Sequence, residues 1–238
     1  MREIETFTGL VSALLLVTVC LSCGQRAAAP YAPAIDPANF TSNITNPYFS
    51  LPVGKTFTYE GRVKDGAELV QIAVTNDTRT VMGVTTRLYH DQVWLNGKLH
   101  EDTRDWLAQN GQGDVWYFAE DVDNYENGVF KDHGGSFTAG VDGALPGIWI
   151  KARQVVGDVY RQEYYRGRAE DMRRIVAVDQ TVATSLATYR GCVKTYDWTP
   201  LEPTLKERKF YCPQVGGEVV TEDLTAGEKL ELTSVVVP

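Results

Sequence analysis

An all-β chain, folded as a single antiparallel barrel-like or strongly curved sheet or sandwich, is predicted by three features of the sequence. Short runs of alternating β-branched and aromatic residues recur from Phe40 onward. Turn chemistry separates them, at Asp65-Gly66, Asn96-Gly97, Asn127-Gly128, Gly134-Gly135, Pro146-Gly147, Arg166-Gly167 and Ala226-Gly227. No window carries the i, i+3, i+4, i+7 apolar stripe of a packed helix. With 43% hydrophobic and 11% aromatic residues, the chain can bury a core.

The chain opens with export chemistry. Leu10 to Leu21 is an apolar run of signal-peptide length, too short to span a membrane comfortably. It ends in Ser22-Cys23-Gly24, so residues 1–22 are predicted as a signal peptide of lipoprotein type with lipidation at Cys23. Leu21 stands where a small residue is preferred, which keeps plain secretion as the alternative. A lipidated Cys23 would hold the protein at a membrane surface without a spanning segment. Residues 23–39, rich in Ala and Pro, are expected to be a flexible tether, and residues 40–238 the β domain.

Within that domain, strands are expected over Thr56 to Arg62, Leu69 to Thr75, Thr80 to Val84, Val115 to Ala119 and Val129 to Asp132. Later ones are Val159 to Tyr165, Ile175 to Val182, Cys192 to Trp198, Arg208 to Tyr211, Glu218 to Glu222 and Lys229 to Val237. Asn76-Asp77 reads as a further turn. The strongest local signal is Asn96-Gly97 between two strand-like runs, because both residues tolerate positive φ. Counting outward from Leu95 opposite Lys98 places Asp91 against Asp102 and Tyr89 against Arg104. Tyr89, Asp91, His100, Asp102 and Arg104 then share one face, while His90, Gln92, Glu101, Thr103 and Asp105 share the other. Opposed carboxylates repel, so Asp91 and Asp102 call for a proton, an arginine or a metal with His100 alongside. Neither face is cleanly apolar, which suits a wet cavity or ligand site on one side; the plainer reading is a solvated face on which Arg104 or Arg87 bridges the aspartates.

Cys192 and Cys212 lie equally far from a turn centred near Glu202. On an unbulged hairpin they would stand opposite each other within disulfide reach, which implies an oxidising compartment.

Composition excludes some functions. A net charge of −8 argues against nucleic acid, which needs a basic patch. His133-Gly134-Gly135-Ser136 superficially suggests an oxyanion loop, but no G-x-S-x-G elbow exists and a turn is the simpler reading. The three histidines offer no zinc spacing. No cofactor is therefore expected; the acidic run Glu120 to Gly128 would suit Ca²⁺ best, although Glu126 stands where an EF-hand needs Gly. Carboxylate pairs suited to glycoside hydrolysis are available among Glu101, Asp105, Glu120, Glu163 and Glu170, with Trp106, Trp116, Trp198, Tyr164 and Tyr165 to stack on sugars. On the strand Tyr160 to Tyr165, Gln162 and Tyr164 could face a cavity.

Six strings carry a resemblance: N-P-Y-F-S-L-P-V-G-K-T-F-T-Y-E-G from Asn46, E-D-T-R-D-W-L-A-Q from Glu101, D-V-W-Y-F-A-E-D from Asp114, A-G-V-D-G-A-L-P-G-I from Ala139, Y-R-Q-E-Y-Y with A-E-D-M, and W-T-P-L-E-P from Trp198. Together they resemble an uncharacterised family of exported, often lipoprotein-type, bacterial β-rich proteins with no established activity. The segment from Tyr189 to Gly216 is also similar to curved-sheet lipoproteins that hold apolar ligands. The expected function is thus a non-catalytic, lipid-anchored envelope protein that binds a small molecule or glycan. Its candidate residues are Asp91, His100, Asp102, Arg104, Asp105, Trp116, Glu120, Gln162, Tyr164 and Glu170, with Asp142 on a nearby loop. An extracytoplasmic glycoside or ester hydrolase and a structural envelope component are the alternatives. Converging acids with a raised pKa would favour the enzyme, and an apolar cavity the carrier.

Overall fold

The computed structural model describes residues 30–238; the predicted signal peptide and the predicted lipidation site at Cys23 lie outside them. A 3-10 turn at Pro37–Asn39 leads into three two-residue strands, β1 (Phe40–Thr41), β2 (Thr45–Asn46) and β3 (Phe49–Ser50). A meander follows: β4 (Thr56–Val63), β5 (Gly66–Val81), β6 (Val84–Leu95), β7 (Lys98–Asn110) and β8 (Val115–Glu126). Next come β9 (Val129–Asp132), β10 (Phe137–Thr138), β11 (Leu145–Ile150), β12 (Val159–Arg161) and β13 (Glu163–Tyr164). The last five are β14 (Met172–Ala183), β15 (Thr188–Trp198), β16 (Lys206–Cys212), β17 (Gly217–Asp223) and β18 (Glu228–Val236). No α-helix occurs among the described residues.

The expected all-β class is what the structure has: thirteen strands form a nearly closed antiparallel barrel, in the order β12-β14-β15-β16-β17-β18-β4-β5-β6-β7-β8-β11-β13. Its two ends meet in the chain itself, since only Gln162 separates β12 from β13. β12 pairs with β14 on one side, and β13 with β11 on the other. At this seam the backbones of Gly147 and Gln162 come so close that a β-carbon on residue 147 would collide with the peptide after Gln162. Pro146-Gly147 is therefore not the expected turn but part of β11. Proline suits a strand that pairs over only two residues on that side, Leu145 with Tyr164 and Pro146 with Glu163.

Alternation fills the interior. Phe57, Tyr59, Val70, Ile72, Val74, Tyr89, Leu107, Tyr117, Tyr211 and Leu232 point inward and are buried. The end carrying the turns at 82–83 and 213–216 is plugged by the segment from Ile44 to Lys55. Phe49 packs there against Tyr89 and Trp149, with centroids 5.3 and 5.4 Å away. Lys55 ties the plug down, its Nζ donating to the carbonyls of Ser50, Val215 and Gly216 at 2.7–2.9 Å. Burial pulls its pKa down to about 8. A second cluster lies outside the barrel wall, where Phe40 and Ile35 cover Val81, Val84, Ala108 and Phe118.

Two local readings are corrected. Asn76-Asp77 is no turn: β5 runs through it as a bulge between Val74 and Thr78, closed by Thr75 and Asp77 hydrogen-bonding each other. The reversal comes at Met82-Gly83, both at positive φ. Likewise Glu120 to Glu126 is not an acidic loop but the second half of β8. The Cys192–Cys212 disulfide is present, at register partners fixed by Val193 opposite Tyr211.

Candidate functional site

The Asn96-Gly97 reversal is where expected, with both residues at positive φ and Leu95 opposite Lys98. Trp94 then faces Leu99, but a bulge follows: Val93 pairs with Glu101, so His100 is the extra residue. Every later residue of β7 changes face as a result. Asp91 faces Thr103, not Asp102, and Tyr89 faces Asp105, not Arg104. The opposed aspartate pair does not exist.

Outside the barrel, Asp102 accepts hydrogen bonds from Gln92 (2.7 Å) and Arg104 (3.0 Å) and contacts His90 Nε2 at 2.9 Å. Arg104 bridges on to Asp123 at 2.7 Å, and His133 contacts the same carboxylate at 2.8 Å. This half-exposed ladder resolves the like charges on β7 and β8. His100 is exposed. The predicted metal trio Asp91, His100 and Asp102 is thus split between the two faces, and no metal-holding group of three His, Cys, Asp or Glu exists among the described residues.

Inside, the same bulge turns Glu101, Thr103 and Asp105 toward a cavity of about 620 Å³. Asp91 from β6, Tyr117 and Glu120 from β8, Trp149 from β11 and Glu163 from β13 complete its wall. Asp171, Arg173 and Lys209 face it from the opposite side, with Gln162 at the seam. Gly134, Gly135, Arg168, Leu201, Glu202 and Leu205 surround its mouth. A smaller recess of about 220 Å³ shares Asp91, Trp149 and Lys209 with it and is floored by Val70, Ile72, Val93 and Leu230.

Electrostatically the chamber is one-sided. Seven carboxylates (Asp91, Glu101, Asp105, Glu120, Glu163, Asp171, Glu202) meet three cations (Arg168, Arg173, Lys209). Two of those cations are already compensated. Arg173 holds Asp197 in a bidentate pair at 2.9 and 2.5 Å, and Lys209 sits 3.0 Å from Glu207. Burial drives the acids up, reinforced by their neighbours. Asp105 rises to about 7 despite a short hydrogen bond from the Tyr117 hydroxyl. Asp91 is raised well above its ordinary value by burial and then by Asp105 and Glu101. Glu120 rises through burial, Glu163 and Asp105, and Glu163 through burial, Asp171 and Asp105. Deeper still, Glu218 stands near 7, raised by burial against the pull of Lys209. Lys209 is pulled down by burial, but Glu207 and Glu218 outweigh this and hold it protonated.

Of the ten candidate residues, Asp91, Asp105, Glu120 and Gln162 line this cavity. His100, Asp102 and Arg104 belong to the outer face. Trp116 packs outward, edge-on to Phe40 at 6.0 Å. Tyr164 lies under Arg161, 4.4 Å from its guanidinium, and Glu170 accepts from the Gly167 amide at 2.7 Å to close a turn. Asp142 is an exposed turn residue at positive φ. Sequence reasoning missed Trp149, Asp171, Lys209 and Thr103. Trp149 follows Pro146-Gly147, which reads as a turn; Thr103 is turned inward by the β7 bulge, and Asp171 and Lys209 reach the cavity only through barrel closure.

No protein-family model matches the chain, and no curated protein does. Among solved structures, the crystal structure of "a putative lipoprotein from Parabacteroides distasonis ATCC 8503" is similar at 14% identity and a TM-score of 0.42, over 79% of this chain and 98% of that one. So remote a likeness leaves function to the chain's own residues.

Proposed function

We propose that this protein is an extracytoplasmic, lipid-anchored binding protein that takes a small molecule into the barrel cavity between β6, β7, β8 and β16. The observation that carries the reading is the chamber itself: plugged at one end, reached through a mouth at the other, and within the size range of small-molecule sites. The disulfide and the predicted signal at Cys23 support an export route. A fragment screen followed by amide shifts tests it. Hits should perturb Asp91, Thr103, Asp105, Tyr117 and Glu163 together; hits confined to the outer wall, or none, overturn it.

Converging acids with raised pKa values also support a second reading, hydrolysis by an acid and a base. Asp105 with its bound Tyr117 is the best-placed acid. A glycosidase, however, needs its two carboxyl groups pushed apart, one held protonated and one ionised. Here Asp91, Asp105, Glu120, Glu163 and Asp171 all move upward. Such a set suits an occupant that neutralises it better than a division of catalytic labour. Aryl glycosides and esters left unhydrolysed by wild type would dismiss the enzyme; turnover abolished in Asp105→Asn would establish it.

A further inference from the structure

The geometry points to an organic polyamine as the ligand of this cavity: a flexible chain with two or more ammonium groups separated by methylenes. This rests on the binding reading above and deepens it. Three independent features converge.

The first is charge without a partner. Arg173 and Lys209 are engaged by Asp197 and Glu207, neither of which borders the large chamber. That leaves the seven wall carboxylates facing Arg168 at the mouth, itself stacked 5.3 Å from the Tyr165 ring. Buried carboxylates crowded together call for a counter-charge. Lys209 supplies part of it to Asp91, Asp105 and Asp171, and most of it is left unmet among the described residues. A small metal ion is poorly served, because among the described residues no group of three His, Cys, Asp or Glu is placed to hold one. A longer cation can meet acids on different strands.

The second is a pair of buried polar atoms left without hydrogen-bond partners among the described residues, Asp91 Oδ1 and Trp149 Nε1. Both residues border the chamber and the recess where the two join. Unpaired buried groups are uncommon in native proteins and mark a place for a ligand or water. An ammonium can donate to Asp91 Oδ1, an acceptor; the Trp149 Nε1–H is itself a donor that an ammonium does not meet, so of the two it is Asp91 that argues for a cation.

The third is the lining that suits the rest of such a molecule. Trp149 and Tyr117 stand edge-to-face at 5.0 Å, and Tyr89 lies 6.0 Å from Trp149. Aromatic faces attract ammonium groups. Beyond them Val70, Ile72, Val93 and Leu230 offer an apolar floor for methylenes, with Glu68 and Glu218 at its sides. Acid, aromatic and aliphatic surfaces therefore alternate along one connected space.

Calorimetric titration of the mature protein with spermidine tests this, with Ca²⁺ and an uncharged trisaccharide as comparison probes. Wild type should bind spermidine in a 1:1 complex. Asp91→Asn and Glu120→Gln should each weaken it by about tenfold or more, while the exposed Glu126→Gln should not. Binding should release protons, measured as a heat that varies with buffer. The groups acting on Asp105 are Asp91, Glu101, Tyr117, Glu120, Asp121, Glu163 and Lys209, and a cation among them favours ionised carboxylates. Spermidine binding that is absent, or equally strong in all variants, overturns the inference. If the trisaccharide binds with shifts at Trp149 and spermidine does not, the cavity reading survives and the polyamine falls. If no probe binds and the fragment screen is also empty, both fall.

Discussion

At the scale of single residues, the cavity acids are held against their own interest. Asp91 illustrates the cost: its Oδ1 is buried without a partner, and its neighbours on β7, Glu101 and Asp105, are also acids. Leaving a charged group unsatisfied in an interior costs about 1–3 kcal/mol or more. Asp91→Asn should therefore stabilise the empty protein, raising its Tm at pH 8 by several degrees, roughly 2–4 °C per kcal/mol for a domain this size. A lower Tm would mean that Asp91 has a structural role. Tyr117 is the complementary case, since its hydroxyl donates to Asp105 and so favours the ionised form. Tyr117→Phe should push the Asp105 pKa above its present value of about 7, as followed by carboxyl carbon shifts. An unmoved titration would place the Tyr117 proton elsewhere. Residue types near Asn96-Gly97 marked a polar strand pair, and left open whether its acids face solvent with Arg104 or line a cavity. Which acids turn inward was not legible, because one unpaired residue, His100, decides it.

Elements explain why the reading stopped there. Strand identity follows from alternation and reversals from Asn-Gly chemistry, so the strand from Thr56 to Arg62, the Asn96-Gly97 and Asn127-Gly128 turns and the Cys192–Cys212 register could be seen without coordinates. Bulges leave no comparable mark. At His100 the bulge turns Glu101 and Asp105 inward and Asp102 and Arg104 outward, reversing half the expected site. Asn76-Asp77 hides another, because Thr-Asn-Asp serves a bulge as readily as a turn. Closure is equally silent in sequence: the seam depends on Gly147 approaching the Gln162 peptide, and Pro-Gly reads as a turn. Gly147→Ala should accordingly separate β11 from β13, destabilising by about 1–3 kcal/mol in urea and exposing Glu163. Unchanged stability would mean the seam tolerates a wider gap. The disulfide joins neighbouring strands instead, closing a 20-residue separation between β15 and β16. Its removal by a Cys192→Ser, Cys212→Ser double change should cost about 3 kcal/mol, with no loss if the protein is already reduced.

For the whole molecule, an acid-filled barrel has a definite pH signature. Asp105 and Glu218 hold protons to about pH 7 in the native state, whereas unfolded carboxyls release theirs near 4. Between those values the native chain binds more protons than the unfolded one, so stability falls as pH rises. Each excess proton tilts it by about 1.4 kcal/mol per pH unit. Other groups act outside this window. Lys55, lowered to about 8, adds stability with rising pH only above that value. Asp123, Asp132 and Glu231 are lowered by their hydrogen bonds and lose their contribution only in stronger acid. The empty protein should therefore melt at a higher temperature at pH 5 than at pH 8, the reverse of a domain held by surface ion pairs. The Asp105→Asn, Glu218→Gln double variant should flatten that slope. A bound polyamine would supply the missing counter-charge and favour the ionised acids, so spermidine should raise the Tm much more at pH 8 than at pH 5. A Tm rising with pH between 5 and 7 would show that the chamber acids ionise freely, removing the electrostatic reason for a cationic occupant while leaving the barrel and its mouth in place.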